Sequence, residues 1–341
     1  MYMMGHSLRL VSWGTTNECN LSCIYCYRAA GNKLKDELST TEAIELLESI
    51  KLLGGKAIVL SGGEPLLRQD IFEIIRYGSK IGLRVLLATG GTLIDRTMAI
   101  KLKKAGVSCV SIGIDGANPD THDKIRGVKG AYKLAIKGVM ECINVGLDLQ
   151  INVTVTKLNY REIPKIIELA DKIGAKYMHI FSFIPTGRGE NIEDLTLTQK
   201  QYHDLLTYIL KTQPKYKGLI IKPTCSPQYW VYLSTQKPSF AQEFLKLYPR
   251  GCVAGISYLY ISPQGDVFPC PYLKISVGNI RIQPLHEIWL SSPILQKLRN
   301  IEYLKGRCKT CSYNSVCSGC RARAYVYRGD FLSEDPLCTL K

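Results

Sequence analysis

The sequence predicts an α/β protein: a partial (β/α)6 barrel of the TIM type, followed by a small cysteine-rich domain. Three observations carry the prediction. Strand-like and helix-like segments alternate as far as Phe183, and a helix precedes each strand after the first; such alternation makes right-handed βαβ units and a parallel sheet. The six units fall short of the eight that close a barrel. After Gly187 the pattern changes, and from Arg250 onward the elements are short and hold seven of the chain's 13 cysteines.

Leu8–Trp13 reads as the first strand. Ser39-Thr-Thr-Glu42 is a capping box, in which Ser39 and Glu42 satisfy each other's free amides, and it opens an amphipathic helix to Leu53. Ala57–Leu60 is a short apolar run, followed by a helix over Asp70–Ile81. Arg84–Ala88 is a strand and Ile94–Ala105 a helix; Val107–Ile114 and Ala131–Val145 repeat the pair. Leu149–Val155 alternates as a strand does, and Tyr160–Ile173 is helical with Pro164 in its first turn, where no amide is needed. Tyr177–Phe183 ends the series. Helices follow at Thr198–Lys211 and Ser239–Leu247, separated by Gly218–Ile221 and a proline-punctuated stretch, Lys222–Gln228. This gives a barrel over 1–190, a helical and loop bridge over 191–249, and the cysteine-rich domain over 250–341. The site of such a barrel lies at the C-terminal ends of its strands.

Of the 341 residues 46% are hydrophobic and 21% charged, which excludes a disordered chain. No window of 18 consecutive apolar residues marks a membrane span, and Met1–Leu10 lacks the apolar stretch and cleavage site of an export signal, so the expectation is a cytoplasmic protein without a membrane partner. The net charge of +15 favours an acidic partner: nucleic acid, an anionic membrane surface or a substrate with several carboxylates. A basic surface that serves solubility is the alternative, because Lys and Arg never run five together. An odd number of cysteines without an export signal points to metal or redox chemistry rather than disulfides.

Cys19-Asn-Leu-Ser-Cys23-Ile-Tyr-Cys26 directly follows the first strand. Three thiolates so spaced can wrap one face of an iron–sulfur cube and leave a fourth iron open. Zinc is the competing reading, but structural zinc takes four ligands and no fourth Cys or His lies nearby. After the second strand comes Ser61-Gly62-Gly63-Glu64-Pro65: two glycines let backbone approach a small ligand, and Glu64 offers a carboxylate to an ammonium group.

The spacing of the triplet, Tyr25 before its last cysteine and the Gly-Gly-Glu-Pro resemble the radical S-adenosylmethionine (SAM) superfamily. The resemblance implies a [4Fe–4S] cluster on Cys19, Cys23 and Cys26, with SAM on the unique iron through its amino and carboxylate groups. Reductive cleavage would give methionine and a 5′-deoxyadenosyl radical that abstracts a substrate hydrogen. Gly62, Gly63 and Glu64 would bind the SAM amino group, Tyr25 would lie beside the adenine, and Arg126, in His122-Asp-Lys-Ile-Arg126-Gly, would pair with the SAM carboxylate. Two segments depart from the family pattern. Thr89-Gly90-Gly91-Thr92 stands where members often carry Thr-Asn-Gly-Thr. Gly113-Ile-Asp115-Gly116 stands for Ser-x-Asp-Gly, with Ser111 two residues upstream on the same strand face as the substitute.

By spacing alone, Cys308, Cys311, Cys317 and Cys320 suit a zinc ribbon. Together with Cys252, Cys270 and Cys338 they resemble the SPASM extension of radical SAM enzymes, which implies two auxiliary [4Fe–4S] clusters. Cys308, Cys311, Cys317 and Cys338 would hold the outer one. Cys252, Cys270 and Cys320 would hold the inner one, its fourth ligand being Cys225 or the substrate. Cys109 and Cys142 read as small buried hydrophobes. Cys317-Ser-Gly-Cys320-Arg-Ala-Arg, Gly329-Asp330, Asp335-Pro-Leu-Cys338, Pro185-Thr-Gly-Arg188-Gly189 and Val277-Gly-Asn-Ile280 resemble the SPASM branch that tailors iron tetrapyrroles in siroheme-dependent haem and haem d1 synthesis. The resemblance implies removal of acetate- or propionate-derived carboxyl groups, with a low-potential ferredoxin or flavodoxin as electron donor. Arg188, Arg321 and Arg323 are candidates to pair with substrate carboxylates, or are structural. A peptide-modifying SPASM maturase is the first rival. A zinc-containing nucleic-acid-binding protein is the second, and it leaves the triplet and Gly-Gly-Glu-Pro unexplained.

Overall fold

The computed structural model describes residues 7–340, so Met1–His6 of the segment read for an export signal lie outside it. The six expected strands form, at β1 (Leu10–Gly14), β2 (Ala57–Ser61), β3 (Arg84–Thr89), β4 (Val107–Gly113), β5 (Leu149–Val155) and β6 (Tyr177–Ser182), and all pair in parallel in chain order. The sheet is wider than expected. β7 (Ile220–Thr224) adds beyond β6, while β8 (Tyr258–Ile261) pairs in parallel with β1 and is followed by antiparallel β9 (Asp266–Phe268) and β10 (Gly278–Asn279). The order is therefore β10-β9-β8-β1-β2-β3-β4-β5-β6-β7, and the cysteine-rich segment is hydrogen-bonded into the barrel sheet. Pro223 lies within β7, and it is tolerated because β7 is the edge.

The helices before Gly187 are α1 (Thr40–Leu52), α2 (Ile71–Lys80), α3 (Arg96–Ala105), α4 (Pro119–Arg126), α5 (Ala131–Asn144) and α6 (Ile163–Lys172). Ser39 and Glu42 form the expected capping box, and Pro164 sits in the first turn of α6. The short α4 lies where no helix was expected; Asn118 caps it through the Thr121 amide and Gly127 ends it in the left-handed region at φ +72°. The later helices are α7 (Gln199–Thr212), α8 (Gln228–Gln236), α9 (Ala241–Leu247), α10 (Leu285–Ser291), α11 (Pro293–Arg299), α12 (Arg307–Thr310) and α13 (Arg321–Arg328). Among the described residues no helix is long and apolar enough to cross a membrane.

One residue set on each strand, such as Ile58, Leu60, Val85, Leu87, Ile151, Val153, Met178 and Ile180, is buried in a single core with Leu46, Leu47, Ile74, Ile75, Leu102, Val139, Ile166 and Ile167 of the helices. Each such side chain contributes about 1.5–3 kcal/mol by leaving water. Cys142 of α5 belongs to that core and Cys109 of β4 is also buried, both as expected. The alternate residues, among them Ala88, Asn152, Thr154, His179, Phe181 and Lys222, project to the other face and line the barrel interior.

Candidate active site at the strand ends

The loop after β1 lies across the C-terminal end of the sheet. Its thiols are all free. Main-chain bonds tie it down on two sides: Ser22 and Ile24 donate to Arg126 and Ile125 carbonyls at 3.1 and 3.0 Å, and Cys19 and Gly31 exchange with Gly31 and Asn17 at 2.8 and 2.9 Å. Each sulfur faces an N–H. Leu21 points at Cys19 Sγ and Ala30 at Cys26 Sγ, both at 3.4 Å, and Arg126 Nη1 lies 3.8 Å from Cys23 Sγ. Burial first, then the neighbouring thiols and Glu64, push Cys19 up to about 11, while the Leu21 amide opposes the shift. The Cys19 sulfur is thus protonated until a metal displaces the proton.

Beneath this loop lies the turn after β2. Gly62 adopts φ +136°, and a Cβ there would stand 2.4 Å from the Thr16 carbonyl; a Cβ on Gly63 would stand 2.1 Å from the Glu18 carbonyl. Only glycine lets the two loops touch. Glu64 is buried. Its carboxylate accepts from Thr89 Oγ1 at 2.7 Å, the Gly90 amide at 2.9 Å and the Leu66 amide at 3.1 Å. Burial raises its pKa and those donors oppose the rise. Thr89 and Gly90, from the segment that departs from the family pattern, therefore hold Glu64 in place.

A third group centres on Asp115, fully buried at the end of β4. Its Oδ2 accepts from Tyr25 Oη at 2.6 Å and lies 2.7 Å from Arg126 Nε, while Oδ1 accepts from the Thr154 amide at 2.8 Å. The Arg126 guanidinium also stands over the Tyr25 ring, 5.7 Å from its centroid. A Cβ on Gly113 would fall 1.7 Å from Arg126 Nη2, so the glycine that replaces the family's serine is what makes room for the arginine. Ser111 is buried two residues earlier on β4, outside the Asp115–Arg126–Tyr25 network. His122 faces the Asp115 amide through Nδ1 at 3.2 Å, and burial, then Arg126, holds its imidazole down to about 4. In the sequence Asp115 stands out only as part of a motif; its partner Tyr25 lies 90 residues away, and no local signal announces that contact.

The C-terminal thiols fall into two sets. Cys225, Cys252, Cys270 and Cys320 interact electrostatically with one another: a Cys225–Cys320 hydrogen bond lowers Cys320, and Cys252 and Cys320 raise Cys270. Backbone N–H groups of Ala254, Tyr272, Leu273 and Arg323 point at these sulfurs. Cys225 adopts φ +58°, a strained conformation for a non-glycine residue that aims its side chain into the set. The second set joins Cys308, Cys317 and Cys338, with Cys311 at the C-terminal cap of α12 one turn from Cys308.

The three arginines that were candidates either for substrate carboxylates or for structural roles all bind protein groups. Arg188 donates to the Cys23 and Ala30 carbonyls at 2.8 and 2.6 Å and so clamps the cysteine loop. Arg321 donates to Phe331 and Ser333 carbonyls at 2.9 and 2.8 Å and approaches Cys308 Sγ at 3.7 Å. Arg323 is fully buried, ion-paired with Asp335 at 2.8 Å and bonded to the Cys225 carbonyl at 2.7 Å. Each of the three binds protein groups, in line with the structural alternative, while Arg323 Nη1 is buried without a hydrogen-bond partner.

Residues 13–170 match the model of the radical SAM superfamily and residues 252–321 that of an iron–sulfur cluster-binding domain, SPASM. The chain is 41% identical, over 99% of its length and 98% of the relative's, to the AdoMet-dependent heme synthase of Methanosarcina barkeri. It belongs to the radical SAM superfamily. The AdoMet-dependent heme synthase of Nitratidesulfovibrio vulgaris is 36% identical over 98% of this chain and 92% of its own. In architecture the chain is similar to Streptococcus suis SuiB bound to S-adenosylmethionine, with a TM-score of 0.76 at 18% identity over 98% of this chain and 78% of that one.

As a radical SAM enzyme with a SPASM domain, the protein uses [4Fe–4S] clusters and SAM. The residues present fit these groups. Grouped soft sulfurs of the loop after β1, each facing an N–H donor that stabilises a thiolate, suit iron–sulfur ligation, and the glycine turn packs directly against that loop.

Proposed function

We propose that the enzyme removes the carboxyl groups of propionate side chains from an iron tetrapyrrole, leaving vinyl groups, in the siroheme-dependent route to haem. The observation that carries this reading is the end-to-end identity with AdoMet-dependent heme synthases, because haem bears vinyl groups where an iron coproporphyrin bears propionates. The chemistry balances: a propionate that loses one β-hydrogen atom and one electron yields a vinyl group and carbon dioxide. The cluster and SAM supply the one-electron hydrogen abstraction. A leftover electron is of the kind an iron–sulfur centre accepts.

In this reading Cys19, Cys23 and Cys26 hold the SAM-binding cluster. Gly62, Gly63 and Glu64 receive the SAM amino group, and Arg126, steadied by Asp115, receives its carboxylate. Cys225, Cys252, Cys270 and Cys320 hold the inner auxiliary cluster, and Cys308, Cys311, Cys317 and Cys338 the outer one. The four-thiol set around Cys225 supports that residue as the fourth inner ligand. A low-potential ferredoxin or flavodoxin supplies electrons.

The test is anaerobic incubation of the reconstituted enzyme with SAM, reductant and an iron coproporphyrin, followed by mass spectrometry. A loss of formic-acid composition per side chain is expected. An unchanged porphyrin, beside turnover of an acetate-bearing tetrapyrrole or a precursor peptide, would overturn the reading.

A further inference from the structure

Lys222, midway along β7, is a cation inside the barrel without an anion. Its register partner on β6 is His179, so both side chains project into the interior. Lys222 Nζ lies 4.5 Å from the centroid of the Tyr248 ring, and Tyr248 Oη lies 3.5 Å from His179 Nε2. Tyr248 is itself fixed: its carbonyl accepts from Trp230 Nε1 at 2.7 Å, and its ring packs 5.1 Å from that of Phe244. Among the described residues no carboxylate forms an ion pair with Lys222; it interacts electrostatically with Cys225, just beyond the end of the strand, and with His179.

An ammonium group removed from bulk water without a counter-charge is costly, and a fold keeps one where a ligand supplies the charge. Burial, then the charge of Lys222, holds the His179 imidazole well below its usual range, so it is neutral and offers one donor and one acceptor. Three residues along the strand from Lys222 lies Cys225, which faces the inner thiol set.

We propose that Lys222 is a carboxylate anchor for the substrate, pairing inside the barrel with one acidic side chain of the tetrapyrrole while neutral His179 and Tyr248 flank it. This rests on the tetrapyrrole reading above. It gives Lys222 the task for which Arg188, Arg321 and Arg323, each bound to protein groups, were the sequence candidates.

The experiment measures equilibrium binding of a tetrapropionate iron porphyrin, and of its tetramethyl ester, to reconstituted enzyme by the shift of the porphyrin absorption band. Lys222→Met is expected to weaken binding of the acid by about tenfold or more, the worth of a charged hydrogen bond, and to leave binding of the ester unchanged. Lys222→Arg is expected to stay within about threefold of wild type, since it keeps the charge. Far-ultraviolet circular dichroism and cluster absorbance verify that each variant is folded and loaded. Equal affinity of wild type and Lys222→Met for the acid would overturn the anchor while leaving the tetrapyrrole reading intact. Failure of wild type to bind any porphyrin would overturn both.

Discussion

Gly113 shows how far one hydrogen atom in place of a side chain can reach. The Arg126 guanidinium occupies the volume where a Cβ at that position would stand, and from there it contacts Asp115, the Tyr25 ring and Cys23. Gly113→Ser, which restores the family's serine, is expected to expel the arginine and weaken SAM binding about tenfold or more, as titration calorimetry would measure. Wild-type affinity in that variant would remove Arg126 from the SAM site. Cys225 is the second residue whose conformation carries information. Its positive φ and its contacts with Cys320 predict that Cys225→Ala lowers the iron content by one cluster's share while the site at Cys19, Cys23 and Cys26 stays filled. Unchanged iron per chain would exclude it as a ligand. Much of the site was readable at this scale, because a short loop must bring its own thiols and glycines together. The arginines were not, since composition cannot distinguish a fork filled by carbonyls from one waiting for a ligand.

Among the elements, α13 does the most joining. Cys320 stands at its N-terminal cap, and Arg323 in its first turn pairs with Asp335, which also accepts from Gln228 at the start of α8 and from the Cys320 amide. Burial alone would raise the Asp335 carboxyl, but Arg323 and the hydrogen bonds override it and hold the group below the usual carboxylate range. Asp335→Asn leaves a buried guanidinium without its counter-charge, and a loss of about 3–5 kcal/mol is expected at neutral pH. A carboxyl depressed in the folded state stabilises above its unfolded pKa and loses that contribution as pH falls through the folded one. The difference in melting temperature between wild type and variant should therefore be full at neutral pH and shrink below about pH 4. A gap that is the same at every pH would rule out the ion pair as its source. α8 itself escaped the sequence reading: Tyr229, Trp230, Val231, Tyr232 and Leu233 are buried on all sides, so the helix has no apolar stripe to detect.

For the whole molecule, the first six strands were legible because each has an apolar run long enough to bury and a helix between it and the next. β7 to β10 were not. They are two to five residues long, one holds a proline, and each pairs with a partner that no local pattern specifies. The cysteine-rich segment consequently read as an appended module, whereas β8 extends the barrel sheet. Tyr260 of that strand, with Tyr272 beyond it, also packs on Tyr27 of the cysteine loop, with ring centroids 5.9 and 5.3 Å away.

The parallel pairing of β1 with β8 has a consequence for how the protein is made. Leu10 meets Tyr258 and Trp13 meets Ile261, so β1 keeps one flank bare during synthesis until β8 has followed it from the ribosome. Contacts this remote in sequence form late, and an apolar strand with unpaired amides is meanwhile open to association with other nascent chains. Maturation of this enzyme is thus expected to depend on shielding of that flank during synthesis.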